Sequence, residues 1–250
     1  MNSRQQRIMQ IVGDRQKVSV AELASATGVS LVTIRHDLSQ LEKNAWLRRE
    51  HGFAILIDSD DTDARMLNHF AHKQSLAAYA ASLVQDGETV FIESGSTNAF
   101  LARLLASRPG ITIMTVSAYI ARLLRDGQCD VVMLGGNLQK GTESMVGPLT
   151  RMALEQVNFS KAFIGIDGFT AQTGFTGRDM MRADIINCVL EKGAQNIVMT
   201  DSAKFGQIHP HPLATGAQVN LVISDNQLSG AHEKTLQDAG IRVIKTGIIP

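Results

Sequence analysis

The sequence predicts an α/β chain of two domains, in which a small helical domain with a β-hairpin precedes a larger α/β domain. Three observations support this. Between residues 19 and 54, a capped helix, a tight turn, a second helix and a basic hairpin follow one another. A short, acidic, turn-rich segment comes next, at 58–63. Beyond it, short β-rich runs alternate with helical stretches.

The first helix of the small domain has clear start and stop signals. Ser19 and Glu22 fit a capping box, in which each side chain accepts from an amide that the helix start leaves unpaired. Gly28 can adopt the left-handed conformation that ends a helix, and Ser30 is placed to cap the next one. Only a short turn separates the two helices. One face of the first helix carries Val20, Leu23, Ala24 and Thr27.

The second helix has an apolar and a polar side. Helical spacing places Leu31, Ile34, Leu38 and Leu41 together, opposite Val32, Arg35, His36, Ser39 and Gln40, with Thr33 on the flank. A helix fits the major groove of B-DNA, where a guanidinium can pair bidentately with guanine. This predicts a DNA-reading helix, with Arg35 as the best single base contact.

A basic hairpin follows at 47–55 and predicts the wing of a winged helix-turn-helix. Its Arg48, Arg49 and His51 would lie along the phosphate backbone and give affinity rather than sequence choice. The predicted DNA-binding residues are therefore Ser30, Val32, Thr33, Arg35, His36, Ser39, Gln40, Arg48, Arg49 and His51.

Charge is unevenly distributed along the chain. Residues 1–57 hold eight Lys and Arg against five Asp and Glu, whereas residues 58–250 hold 16 against 19. The chain is neutral overall, but its N-terminal domain is basic, as expected of a domain that binds nucleic acid.

Composition narrows the class of protein. The chain has 250 residues and is 44% hydrophobic, and it shows neither an apolar signal segment nor a run long enough to span a bilayer, so a cytoplasmic protein is expected. Cys129 and Cys188 are too few and too far apart for a disulfide framework or a metal site. We therefore expect no disulfide, no metal and no cofactor.

The predicted domains are a winged helix-turn-helix over 1–57, a linker and connecting helix over 58–74, and an α/β domain over 75–250. The connecting helix is expected to run from Ala64 to about Val84. Largely parallel strands are expected because helix-length segments lie between most of them. The predicted strands are Thr89–Glu93, Ile111–Val116, Val131–Leu134, Ala162–Ile166, Ile197–Asp201, Leu221–Ser224 and Arg242–Ile244.

Small and polar residues follow several of these strands, where open α/β sheets bind ligands. Glu93–Thr97 leads from the first strand into a helix expected near Asn98, and it offers hydroxyls, amides and a positive helix end that suit a phosphate. Gly136 and Lys140 follow the third strand. Asp167 follows the fourth strand, and Lys204 the fifth. The sequence thus predicts an anion site at this edge of the sheet.

Specific motifs of the chain resemble the DeoR family of bacterial transcriptional regulators. They are Thr33–Leu38 with Leu41-Glu42, Arg49–Gly52 in the wing, and Asp201–Gly206 after a strand. The resemblance covers nearly the whole chain. The chain departs from the family pattern at His36, Phe53, Glu93 and Val116.

The resemblance implies a C-terminal sensor domain like ribose-5-phosphate isomerase, binding a phosphorylated sugar or related metabolite. Ser94, Gly95, Ser96 and Thr97 would hold the phosphate, with Gly136 and Lys140 nearby. Asp167, Asp179 and Lys204 would face the sugar hydroxyls. Arg178 and Arg182, which lie nearby, are either ligand contacts or surface charges on a helix, and the second interpretation is favoured.

The sequence therefore predicts a repressor of transcription, acting as a homo-oligomer on double-stranded operator DNA and controlled by a phosphorylated metabolite. No catalytic residue is assigned. The alternative is a sugar-phosphate isomerase or deaminase with an accessory DNA-binding head, because Asp167, Asp179 and Lys204 include the groups that enolisation uses for proton transfer. A structural nucleoid-binding protein is a third hypothesis, but it does not explain the polar residues at the strand ends.

Overall fold

The computed structural model describes residues 2–43, 46–56, 62–213 and 216–247. Two compact units divide the chain, Met1–Phe70 and Ala71–Pro250. Among the described residues, every helix is too short or too polar to cross a membrane. Most of the acidic segment expected to be a linker, residues 58–61, lies outside the described part.

The N-terminal unit is a winged helix-turn-helix. Its helices are α1 (Ser3–Arg15), α2 (Val20–Thr27), α3 (Leu31–Lys43) and α4 (Thr62–Leu67), and its strands are β1 (Lys17–Ser19), β2 (Leu47–Glu50) and β3 (Phe53–Leu56). The strands form an antiparallel sheet in the order β1-β3-β2. The predicted helix-turn-helix and wing are confirmed.

Local chemistry explains these elements. The Ser19–Glu22 capping box starts α2, and Gly28 ends it at φ 70°. The amide of Thr33 donates to Ser30 Oγ at 3.2 Å, which caps α3. A two-residue turn joins β2 to β3, in which His51 and Gly52 both have positive φ, 48° and 85°. That combination matches the twist of a hairpin.

The core of this unit lies between its helices and its sheet. It contains Ile8, Met9, Val12, Leu23, Ile34, Leu38, Leu41, Leu47 and Ala54. Leu31 was expected on this apolar face but is 44% exposed. It is the first residue of α3, so core contact begins one turn later at Ile34. Close packing between helices is visible at Gly13, where an added Cβ would lie 2.6 Å from the carbonyl oxygen of Leu67.

The helix expected over 64–84 is divided in two. α4 ends at Leu67 and α5 (Phe70–Ser82) begins after Asn68 and His69. His69 has φ 51°, which an α-helix cannot continue through. The break coincides with the boundary between the two compact units.

The C-terminal unit is an α/β domain. Among the described residues, its main sheet has seven strands, all parallel, in the order β15-β14-β12-β9-β4-β5-β6. The strands are β4 (Thr89–Ile92), β5 (Thr112–Thr115), β6 (Asp130–Met133), β9 (Lys161–Ile164), β12 (Gln195–Met199), β14 (Leu221–Asp225) and β15 (Arg242–Thr246). The predicted strands are confirmed, with bounds shifted by up to two residues.

Helices and smaller sheets connect these strands. The helices are α6 (Ser96–Leu105), α7 (Ala118–Leu124), α8 (Pro148–Glu155), α9 (Met180–Leu190) and α10 (Gly230–Asp238). β7 (Asn137–Gln139) and β8 (Ser144–Val146) form one hairpin, and β10 (Gly168–Thr170), β11 (Gly174–Gly177) and β13 (His211–Pro212) form a small antiparallel sheet. Short 3₁₀ turns lie at Ser202–Lys204 and Gly216–Gln218.

Strand order fixes where a ligand can bind. The chain runs outward from β4 to β5 and β6 on one side, then returns to β9 on the other side and continues to β12. The order therefore reverses between β4 and β9. In an open parallel sheet, such a switch point opens a crevice at the carboxyl ends of the two strands.

Candidate DNA-binding and effector sites

The exposed side of α3 is the candidate base-reading surface. Val32 is 74% exposed, and Arg35, His36, Ser39 and Gln40 are also exposed. Thr33 is half-buried, and its hydroxyl lies 2.9 Å from that of Ser30. The structure thus places the predicted groove residues on one side of the helix or at its start.

Some of these side chains already have partners in the protein. Gln40 accepts from Gln5 Nε2 at 2.8 Å, and its own amide nitrogen lies 2.9 Å from His36 Nε2. Ser39 Oγ donates to the carbonyl of Arg35 and accepts from Arg49 Nη1, both at 2.8 Å. Arg35 carries its charge on an exposed side chain of the same surface.

Arg49 joins the wing to α3. Its backbone amide and its Nε each donate to the carboxylate of Glu42, both at 2.7 Å. These bonds hold the pKa of Glu42 below its ordinary value. By contrast, Arg48 and His51 have side chains that are 63% and 90% exposed. Arg49 therefore positions the wing, while Arg48 and His51 present their side chains to solvent.

Phe53, a departure from the family pattern, is built into the wing. It is the first residue of β3, pairs with both Ser19 and Glu50, and lies 4.7 Å from Lys17 Nζ, measured to the ring centroid. The hairpin turn needs positive φ only at His51 and Gly52, so a phenylalanine in the following strand leaves the wing intact.

The crevice between β4 and β9 is the candidate effector site. Ser94, Gly95, Ser96 and Thr97 lie at the end of β4, with Asp167 after β9 and Lys204 after β12. These strands are adjacent, so the structure brings the three segments to one edge of the sheet. The helix expected near Asn98 begins earlier, at Ser96.

The start of α6 is suited to an anion. Gly95 is its N-cap, with φ 115°, and as a glycine it has no side chain with which to cap the helix. The first amides of an α-helix lack intrahelical acceptors, and the helix dipole adds partial positive charge there. Ser94 and Ser96 are buried beside this end, and Thr97 is half-buried. Backbone amides and hydroxyls are the groups that commonly hold phosphate.

Asp179 connects the crevice to the β7–β8 hairpin. It is the N-cap of α9 and accepts from the amide of Arg182 at 2.8 Å. Gln139 Nε2 donates to both of its carboxylate oxygens, at 3.0 and 3.1 Å. Burial opposes ionisation of Asp179, but these hydrogen bonds and the charge of Arg182 outweigh it and lower the pKa of the carboxyl.

The hairpin residues differ in what they can do. Lys140 is exposed and directly follows Gln139, so the bond to Asp179 tethers the segment that carries it. An added Cβ at Gly136 would lie 1.9 Å from Thr150 Oγ1 and 2.9 Å from the carbonyl oxygen of Val146. Close packing therefore accounts for a glycine at this position.

Arg182 is not the surface charge that the sequence suggested. Its side chain is only 15% exposed, and Nη2 donates to Glu93 Oε1 at 2.9 Å. Burial opposes its charge, but Glu93, Asp167 and Asp179 outweigh that cost and raise the pKa of the guanidinium. The interpretation as a surface charge is wrong because Glu93, 89 positions earlier, meets Arg182 only through the fold. Arg178 is exposed, as expected, and its amide donates to Asp167 Oδ2 at 3.0 Å.

Comparison with protein families identifies both units. Residues 4–60 match the DeoR-like helix-turn-helix domain, and residues 68–226 match the DeoR C-terminal sensor domain. The chain belongs to the DeoR family. It is a DNA-binding transcriptional regulator with a sensor domain, and the family match decides for regulation against the alternative of an enzyme.

Relatives align over most of their length. The regulator GolR of Listeria innocua is 28% identical over 96% of each chain, and a putative aga operon transcriptional repressor of Escherichia coli O157:H7 is 30% identical over 98% of this chain and 94% of that one. The lactose phosphotransferase system repressor of Lactococcus lactis is 30% identical over 86% and 87%. Among solved structures, ribose-5-phosphate isomerase A of Methanocaldococcus jannaschii aligns over 55% of each chain at 20% identity, with a TM-score of 0.40.

Proposed function

We propose that this DeoR-family regulator is a repressor whose operator affinity falls when a phosphorylated sugar or related metabolite binds. Residues 1–57 would bind the operator, residues 58–74 would connect, and residues 75–250 would bind the effector. The observation that carries the effector assignment is the start of α6, where the N-cap is a glycine without a capping side chain and which lies at the switch point of the parallel sheet.

For the operator, we assign base reading to the exposed side of α3 and phosphate contacts to its edge and the wing. Arg35 would pair with a guanine, since it is exposed and α3 has the length and position of a recognition helix. Val32, Thr33, His36, Ser39 and Gln40 would line the same groove. Ser30, Arg48, Arg49 and His51 would contact the backbone.

For the effector, we assign the phosphate to the start of α6 and the hydroxyls to the neighbouring strand ends. Ser94, Gly95, Ser96 and Thr97 would hold the phosphate, with Lys140 and Gly136 nearby. Asp167, Asp179 and Lys204 would bind sugar hydroxyls, because carboxylates accept from them and an ammonium donates to them.

Repression and its release require coupling between the two ligands. If the effector prefers an arrangement of subunits that misplaces the reading heads, it lowers operator affinity by that difference, typically about 1 to 3 kcal/mol. The names of the relatives from Escherichia coli and Lactococcus lactis, both called repressors, support this sign of regulation.

We further propose a homo-oligomer that acts in the cytoplasm. One small reading head contacts few base pairs, so two heads on a symmetric operator are needed for a specific site. A regulator of transcription must also share a compartment with the DNA that it reads.

A thermal-shift screen of the full chain tests the effector class. Each sugar phosphate is paired with its unphosphorylated parent sugar. A ligand that binds only the folded state raises the melting temperature by mass action. We expect at least one phosphate ester to stabilise the protein while its parent sugar does not. Stabilisation by a parent sugar to the same extent would contradict a phosphate site.

A further inference from the structure

Glu93 and Arg182 form a mostly buried ion pair beside the start of α6. Their side chains are 3% and 15% exposed, and Nη2 lies 2.9 Å from Oε1. Glu93 directly precedes the residues that we assign to the phosphate, and Arg182 lies in the first turn of α9. The pair therefore joins two elements of the proposed effector site.

The carboxylate of Glu93 also organises the loop that follows it. Its Oε1 accepts from Ser94 Oγ at 2.7 Å, and its Oε2 accepts from the amide of Gly165 at 3.3 Å. Glu93 thus ties the end of β4 to the end of β9. A buried carboxylate so close to an anion-binding helix end would repel a phosphate if its charge were not offset.

The positive charge of Arg182 offsets the charge of Glu93, and the guanidinium has a further hydrogen-bond donor. Within the described part of the chain, its buried Nε has no hydrogen-bond acceptor. A second buried group beside Glu93 is also incompletely satisfied: Asn98, in the first turn of α6, uses Nδ2 for Glu93, Ser94 and Phe163, whereas its Oδ1 has no donor among the described residues. An unpaired buried polar group is costly, so the Nε of Arg182 favours an added acceptor such as a phosphate oxygen, whereas the Oδ1 of Asn98 favours an added donor such as a hydroxyl.

We propose that Arg182 is an anion-recognition residue of the effector site, which offsets the charge of Glu93 and donates from its guanidinium to an oxygen of the phosphorylated effector. This inference rests on the proposed function. It makes anion affinity depend on the balance between two specific charges. Removing the positive one must weaken binding, whereas removing the negative one must strengthen it.

Calorimetric titration of the full chain with inorganic phosphate, ribose-5-phosphate and glucose-6-phosphate tests this balance, using the probe that binds wild type most tightly. We expect Arg182→Gln to weaken binding by about tenfold or more. Glu93→Gln should tighten it, and the double variant should bind more tightly than Arg182→Gln alone. A merely structural pair predicts instead that both single variants weaken binding, and that result would overturn the proposal.

Two further variants separate folding from binding. Arg151→Gln is the matched control, because it breaks another arginine–carboxylate pair of this domain, with Asp184 at 2.5 Å, and should leave the affinity unchanged. If Arg182→Gln does not fold, Glu93→Gln and Arg182→Lys decide: tightening in the first and retained binding in the second support the proposal, and loss in both overturns it. Wild-type protein that binds none of the three probes, and that no sugar phosphate stabilises in the thermal-shift screen, would refute the proposed effector class itself.

Discussion

Arg4 in α1 forms a two-pronged ion pair with Asp37 in the recognition helix α3. Nε and Nη2 of Arg4 donate to the two carboxylate oxygens at 2.5 and 3.1 Å, and Gln5 Nε2 adds a third hydrogen bond at 3.3 Å. The side chain of Asp37 is 2% exposed, whereas that of Arg4 is 38% exposed. The pair fixes α3 on the first helix of the domain, and the side of α3 that carries Arg35 and Ser39 is exposed.

Replacing Asp37 by Ala should destabilise the DNA-binding domain by about 1 to 3 kcal/mol, because it leaves donors of Arg4 and Gln5 without their acceptor. Thermal unfolding of the full chain measures this. Arg7→Ala, a change on the exposed side of the same α1, is the control and should have little effect. Equal melting temperatures for wild type and Asp37→Ala would show that the pair does not hold α3.

Arg35→Ala should reduce operator discrimination more than general DNA affinity. Loss of a bidentate base contact costs about 1 to 3 kcal/mol at the cognate site and much less on random DNA. Arg48→Ala, in the exposed wing, should instead weaken binding to all DNA alike and reduce the salt dependence. Binding titrations on operator and random fragments distinguish the two. Equal losses on both fragments for Arg35→Ala would contradict base reading.

Gly52→Ala should destabilise the wing by about 1 to 2 kcal/mol, because Gly52 has φ 85° and a Cβ is disfavoured in that conformation. Among the described residues, an added Cβ meets no heavy atom within 4 Å, so the cost lies in the backbone. Gly135→Ala is the control, since it also has open space but no positive φ. We expect lower affinity on all DNA for Gly52→Ala only. An unchanged affinity would show that the turn tolerates a side chain.

Ser96→Ala combined with Thr97→Ala should weaken effector release of the operator while leaving operator binding intact. Both residues belong to the first turn of α6, where the phosphate is proposed to bind. Ser107→Ala, an exposed serine beyond the other end of α6, is the control. Effector-induced release that is the same in the double variant and in wild type would refute the phosphate assignment.

Asp179 gives a pH prediction. Its pKa in the folded protein lies below the ordinary value of 3.8, so it stabilises the fold above that value and this contribution is lost as pH falls through the lower folded pKa. Asp179→Asn keeps the helix cap but removes the charge. As the pH falls below about 5, the free energy of unfolding should therefore decrease less for the variant than for wild type. Identical slopes, with the exposed Asp238→Asn as control, would contradict this.

The features that could be predicted from the sequence are those that residues close together in the chain determine. The capping box at Ser19, the left-handed stop at Gly28 and the hairpin over 47–55 depend on neighbouring residues, and each forms as expected. The parallel strands could also be located, because a strand buried on both faces is a short apolar run. Two predictions were wrong: that Leu31 lies on the buried face, and that one helix runs over 64–84. In both cases packing, rather than periodicity, decides whether a residue is exposed or a helix continues.

The parts that were missed depend on long-range contacts. In the sequence, Asp37 is an ordinary helix residue, and only the fold brings Arg4, 33 positions earlier, into contact with it. Arg182 likewise resembles a surface charge, and only the fold pairs it with Glu93. The tether from Gln139 to Asp179 also had no sequence signal, since nothing marks a glutamine in a hairpin as the partner of a helix cap 40 positions later. Polar residues at strand ends predicted where the crevice lies, but they did not predict that Glu93 and Arg182 pair beside it.

Operator titration of the purified full chain, with and without the stabilising sugar phosphate, measures the control of DNA binding by the effector. We predict salt-sensitive binding that strongly prefers one genomic fragment over random DNA, and a loss of operator affinity of about fivefold or more on adding the phosphate ester but not the parent sugar. Sequence-indifferent binding, or operator affinity that no phosphate ester changes, would contradict a regulator controlled by a phosphorylated effector.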